Sequence, residues 1–151
     1  MELKYLEPLM KRGSDFLQCK YPILCGAMTW VSEPNLVAAV CNSGCFGCLA
    51  GGNAPTDILR QQIEQTRALT SHPFAVNLIT IAPAYLSHLA MLREVKVPYI
   101  IFAGSFPKEK EVIAAKETGA KVLCFASTVS IAERMIKFGA DAIILEGSEA
   151  G

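Results

Sequence analysis

Three kinds of residue in this 151-residue chain could do chemistry. The first is a run of thiols, Cys41-x-x-x-Cys45-x-x-Cys48. That spacing matches the triplet with which radical S-adenosylmethionine enzymes hold three irons of a [4Fe–4S] cluster, a task that wants thiolates on one loop. Here Cys41 falls at the end of a helical pattern and Cys48 within an apolar run, so the context favours buried cysteines acting as small hydrophobes. No metal site is expected. The second kind is a polar residue late in an apolar run: Asn77 in Phe74–Ile79, and Glu146 after Ala142-Ile143-Ile144-Leu145. A buried amide must be hydrogen-bonded or costs about 1–3 kcal/mol, so Asn77 is read as a side chain directed at a ligand. Glu146 suits a ligand hydroxyl, a metal or plain solvation at a rim. The third kind is the glycine pair in Gly51-Gly52-Asn53, a turn by default, where missing Cβ atoms would alternatively let a flat ligand approach the backbone. His72 and His88 lie outside the apolar runs and read as surface or packing residues. Trp30 lines either a pocket floor or a core edge.

The elements that must position these residues alternate strictly. Short apolar runs at Tyr21–Gly26, 46–50, 74–79, 98–103, 121–126 and 142–146 are separated by helical patterns at 35–42, 57–69, 83–93, 107–118 and 129–138, after an amphipathic start. Ser32-Glu33-Pro34 supplies a cap and an early proline for the first of these helices. Ile58, Leu59, Ile63 and Thr66 mark the inward face of the second. Six strands joined by five helices through short loops require right-handed crossovers and a parallel sheet. An open doubly wound sheet and a (β/α)₈ TIM barrel both satisfy that. The open sheet expects a glycine-rich phosphate fingerprint after its first strand; Gly26-Ala27-Met28-Thr29-Trp30 does not match it, which favours the barrel. Such barrels typically need eight units and about 250 residues. The expectation is one partial barrel domain over residues 1–151, with only about six βα units present.

Composition excludes several function classes. The chain is 52% hydrophobic and 19% charged, with 14 basic and 14 acidic residues. A neutral chain lacks the electrostatic footprint for nucleic acid or an anionic membrane. No run approaches the roughly 18 apolar residues of a membrane span, and the N-terminus lacks a signal-peptide pattern. The six cysteines are read as reduced thiols in a cytoplasmic protein.

Several segments, in order, resemble one family. Tyr21-Pro22-Ile23-x-x-Gly26-Ala27-Met28, Asn42-Ser43-Gly44-x-x-Gly47-x-x-Ala50-Gly51-Gly52, Phe74-Ala75-Val76-Asn77-Leu78, and Gly139-Ala140-Asp141-Ala142 with Glu146-Gly147-x-Glu149-Ala150-Gly151 are similar to the nitronate monooxygenases. The flavin-dependent enoyl-acyl-carrier-protein reductases belong to the same superfamily. The resemblance implies a (β/α)₈ barrel with non-covalent FMN at its C-terminal mouth. Gly26, Ala27 and Met28 would pass along the flavin ring and Asn77 would hydrogen-bond the cofactor, with Glu146 and Gly151 on the substrate side. It implies oxidation of an alkyl nitronate with O₂, or alternatively reduction of an enoyl thioester by NAD(P)H. Cys45 and Cys48 stand where the family often has small glycine-type residues. The family continues from Glu-Ala-Gly into Gly-His, whose histidine is the base, so the resemblance implies a catalytic histidine beyond Gly151 and a C-terminally truncated barrel. Such a fragment is expected to be inactive by itself, or to complete its barrel as a homo-oligomer or with a complementing chain. The partner expected otherwise is a small-molecule substrate.

Overall fold

The computed structural model describes residues 5–148. Six strands, β1 (Leu24–Cys25), β2 (Phe46–Ala50), β3 (Ala75–Ile79), β4 (Tyr99–Ala103), β5 (Lys121–Ala126) and β6 (Ala142–Leu145), form one sheet. Their order is β1-β2-β3-β4-β5-β6 and every pair is parallel. A doubly wound sheet reverses its strand order at a switch point; no reversal occurs here. The sheet is therefore a six-strand arc of a (β/α)₈ barrel. Helix α1 (Glu7–Leu17) precedes it, and α2 (Pro34–Asn42), α3 (Thr56–Leu69), α4 (Tyr85–Val95), α5 (Glu109–Lys116) and α6 (Val129–Phe138) make the crossovers.

Alternation along the strands sorts the side chains into two cores. Leu49, Val76, Leu78, Ile100, Phe102, Val122 and Cys124 face outward and meet Val37, Leu59, Ile63, Leu92, Val112 and Met135 of the helices. Phe46, Cys48, Ala75, Tyr99, Ile101 and Leu123 face inward and pack with Leu17. Full burial of one such aliphatic or aromatic side chain is worth about 1.5–3 kcal/mol, so a strand that slipped by one residue would forfeit several of these at once.

The end of α1 closes the N-terminal end of the barrel. Its Phe16 carbonyl accepts from the Tyr99 hydroxyl at 2.6 Å and the Lys121 ammonium at 2.7 Å. Lys121 also lies 4.8 Å from the Phe16 ring centroid and 5.4 Å from that of Tyr99. Tyr99 and Lys121 are the first residues of their strands, so the mouth lies at the other end, where the strands finish.

Several local expectations shift. Only Leu24 and Cys25 of the run Tyr21–Gly26 form a strand, because Pro22 has no N–H to give a ladder. Helix α4 begins at Tyr85, two residues later than the proline at 83 suggests. In α3, Leu59, Ile63 and Thr66 are buried while Ile58 is 38% exposed and lies off the inward face. Glu33, whose carboxylate accepts from the Leu36 N–H at 3.0 Å, caps α2 ahead of Pro34. Ser32 is freed for another task.

Candidate functional site at the C-terminal mouth

The β1–α2 loop crosses the mouth as Gly26-Ala27-Met28. Ala27 packs on the inner core, and Met28 is 46% exposed. A Cβ added at Gly26 would meet nothing within 4 Å, so packing within the chain does not demand a glycine there. Ser32 holds the loop. It is only 3% exposed, and its hydroxyl donates to the Gly26 carbonyl at 3.0 Å while accepting from the Met28 N–H at 2.9 Å. Sequence reasoning missed this clamp, because a serine before Glu-Pro reads equally well as a helix cap.

Beyond Met28 the chain turns sharply, with the Val31 and Ser32 amides both donating to the Met28 carbonyl at 3.0 and 2.9 Å. Trp30 occupies the third position of that turn with φ 64, where glycine or asparagine is preferred. A left-handed conformation costs a non-glycine residue about 1–2 kcal/mol. Its indole is 78% exposed.

Asn77 pairs with Ala50 on one side and Ile101 on the other, which places it on the inner face midway along β3, level with the last residue of β2. It is 7% exposed, and among the described residues no side chain or backbone group hydrogen-bonds its amide. The amide is not sealed in: among the described residues the sealed polar side-chain atom without a partner is His88 Nδ1. The Asn77 backbone carbonyl is occupied, accepting from the Gly51 N–H at 3.1 Å. A Cβ on Gly51 would lie 2.5 Å from that carbonyl oxygen, and one on Gly52 would lie 2.4 Å from Ile79 Cδ1. Gly51 is thus explained by the close approach of the β3 backbone, whereas at Gly52 the neighbour is the movable end of the Ile79 side chain.

Glu146 follows β6, its amide donating to the Ala126 carbonyl at 3.3 Å. With Ser105, Phe106, Phe125 and Ser127 it lines a cavity of about 170 Å³ at the ends of β4, β5 and β6. Gly151 lies outside the described residues. The structure therefore sets Gly26–Met28 and Glu146 just past the ends of β1 and β6 on the same side of the barrel, with Asn77 on the inner face midway along β3. It puts the histidines elsewhere. His88 is buried behind the sheet, its Nε2 2.9 Å from the Ala54 carbonyl. Burial lowers its pKa, against an opposing hydrogen bond. His72 lines a cavity at the N-terminal end with Cys19, Cys41 and Cys45.

The cysteine triplet assembles no cluster. Cys41 and Cys48 are buried in α2 and β2, and the Cys41 thiol points at the Pro73 carbonyl at 3.6 Å. Desolvation pushes both thiols up from their ordinary value, which disfavours the thiolates that metals require. Among the described residues no group of three or more His, Cys, Asp or Glu side chains could hold a metal ion.

The family model for nitronate monooxygenase matches residues 10–88 and 80–151, nearly the whole chain. The chain belongs to the nitronate monooxygenase family. A probable nitronate monooxygenase of Staphylococcus aureus (strain MSSA476) is 29% identical over 175 residues, covering 93% of this chain and 49% of that protein. Among solved structures, FabK from Thermotoga maritima is 36% identical with a TM-score of 0.88, covering 93% of this chain and 45% of that one. A nitroalkane oxidase from Streptomyces ansochromogenes is 30% identical with a TM-score of 0.83, covering 92% and 49%. The chain spans about half the length of these relatives. Among its described residues no helix is long and apolar enough to cross a membrane.

Proposed function

We propose that this chain forms the flavin-facing part of an FMN-dependent oxidoreductase that oxidises alkyl nitronates with O₂. The observation that carries the reading is Asn77: a buried amide without a partner, on the inner face beside the mouth, in a family of this kind. The amide is open to the mouth rather than sealed, so its hydrogen bonds are left for water or a ligand to complete. FMN fits that need, since its ring edge offers both donors and acceptors.

Gly26, Ala27 and Met28 would hold the ring from one side. The open space before Gly26 admits a flat group, and the Ser32 clamp keeps the loop in place before a ligand arrives, which lowers the ordering cost of binding. When bound, FMN supplies the two-electron chemistry. The chain's own residues bind it, orient it and shape the access of substrate. Glu146, with Phe106 and Phe125 beside it, would meet the substrate, offering a carboxylate next to an apolar wall. Neither His72 nor His88 is placed to move a proton at this mouth.

A second reading, reduction of an enoyl thioester by NAD(P)H, is favoured by one observation: the identity to FabK, 36%, exceeds that to the nitroalkane oxidase, 30%. The two separate in one pair of assays on protein expressed from its complete gene and purified with bound flavin. Oxygen consumption with propyl nitronate supports the first reading. NAD(P)H oxidation that depends on crotonyl thioester, without nitronate turnover, supports the second. Protein that neither carries nor takes up flavin refutes both.

A further inference from the structure

The loop that bears Gly26–Met28 also carries an aromatic side chain that neither core uses. Trp30 is the single tryptophan of the chain. It stands out at 78% exposure on a left-handed backbone, so it returns little burial for its strain. Strained residues of this kind gather at ligand clamps and switch regions, where the surroundings hold them. The surroundings here are the two amides on the Met28 carbonyl and the Ser32 clamp.

The position of the indole is informative. With Glu33, Ala50, Gly52, Asn53 and Gln62 it lines a cleft of about 60 Å³, which admits the edge of a ring and not the whole of one, and Ala50 is the ladder neighbour of Asn77. The cleft thus continues the mouth outward over the end of β2. It combines an open π face with two side-chain amides, Asn53 and Gln62, beside the Glu33 carboxylate, which already accepts from Asn35 and from the Leu36 N–H. A flat ring with polar edges suits that combination, because the ring stacks on the indole while its edge atoms take the amides. A plain alkyl chain would leave the amides without partners.

We propose that Trp30 is a stacking contact for a planar heteroaromatic ring of a ligand bound at this mouth. The proposal rests on the reading of the mouth as a flavin site. Two ligands offer such a ring: FMN itself and a nicotinamide dinucleotide reductant. Stacking of a base on an aromatic side chain is lost on alanine substitution at a cost of about tenfold in affinity or more.

The test uses protein expressed from its complete gene, with Trp30→Phe subtracting the emission of any other tryptophan. FMN, NADH and NADPH are titrated separately, and propyl nitronate serves as a ligand without a ring. Acrylamide quenching of Trp30 emission reports exposure of the indole, and Kd values are measured for Trp30→Ala, Trp30→Phe and Trp30→Gly. The proposal expects FMN or a dinucleotide, but not the nitronate, to shield Trp30 from acrylamide. It expects Trp30→Ala to raise the Kd of that ligand about tenfold and Trp30→Phe to stay within about threefold. Trp30→Gly should weaken binding similarly without lowering Tm, since glycine relieves the left-handed strain. If FMN binds with Asn77-dependent affinity yet Trp30→Ala leaves every Kd within about twofold, the stacking role is wrong while the flavin site stands. A Trp30→Gly variant that loses Tm and keeps its affinities marks Trp30 as structural and likewise overturns the proposal. If no flavin binds at all, the flavin reading itself falls.

Discussion

Replacing Ser32 by alanine removes one oxygen atom from beneath the β1–α2 loop, and the structure says what that atom does. It joins the Gly26 carbonyl to the Met28 amide through bonds of 3.0 and 2.9 Å in a residue 3% exposed. Its loss orphans one backbone acceptor and one donor. Each costs about 1–3 kcal/mol if it stays dry, but Met28 is 46% exposed, so water can reach part of the loop. A destabilisation of about 1.5–3 kcal/mol follows, read as a Tm lowered by about 3–12 °C for a domain of this size. The loop residues freed are those proposed to face FMN, so affinity should also fall, by about tenfold if 1.4 kcal/mol of preorganisation is lost. Chemical denaturation gives the first quantity and flavin titration the second. Thr118→Ala is the control: its hydroxyl donates to the Ala115 carbonyl at 2.7 Å and accepts from the Ala120 N–H at 3.2 Å, in the α5–β5 turn at the opposite end of the barrel. It should cost about 1 kcal/mol with no change in flavin affinity. A Ser32→Ala protein destabilised by less than about 0.5 kcal/mol, with unchanged FMN binding, would refute the clamp.

Three further outcomes follow from the same structure. Asn77→Leu should hold or raise the stability of the flavin-free protein, because it removes a buried amide that lacks a protein partner, while weakening FMN binding at least tenfold; a drop in stability with intact binding would contradict the ligand reading. Gly51→Ala must push the end of β2 from β3, since its Cβ would stand 2.5 Å from the Asn77 carbonyl oxygen. A loss of about 1–3 kcal/mol in urea denaturation is expected, and flavin binding should suffer because Asn77 moves too. Stability should also depend on pH through His88, whose pKa burial lowers from the ordinary 6.5. Between that lowered value and 6.5 the unfolded chain binds the extra proton, so stability is full above about pH 6.5 and falls as pH drops through the interval. His88→Gln, which retains an N–H for the Ala54 carbonyl, should flatten that slope in denaturation curves taken across the range.

Much of the site was legible from local pattern because the signals were local. The apolar run 74–79 with one amide in it marked Asn77 as anomalous, while the structure shows that the face it shares with Ala75 is the inner one. The cysteine triplet could be set aside for the same reason, since Cys48 sits in a run buried as a strand. Ser32 was hidden because its two partners, four and six residues back, are backbone groups and carry no residue-type signature. The meaning of Gly51-Gly52 was hidden because it depends on β3, more than 20 residues on. His88 could not be placed, as surface or as packing, until Ala54 was seen beneath it.

The rhythm of apolar runs and helical stretches by itself determined that the chain is parallel α/β, because strands that follow one another through helical crossovers must run the same way. The absence of a phosphate fingerprint favoured a barrel over an open sheet. Only the tertiary structure decided the matter, through an unreversed strand order that exists only between elements. It also decided which end is the mouth: Phe16 of α1 seals the strand starts with one carbonyl shared by Tyr99 and Lys121. Those contacts span 83 and 105 residues, a range over which no pattern of neighbours in sequence carries information.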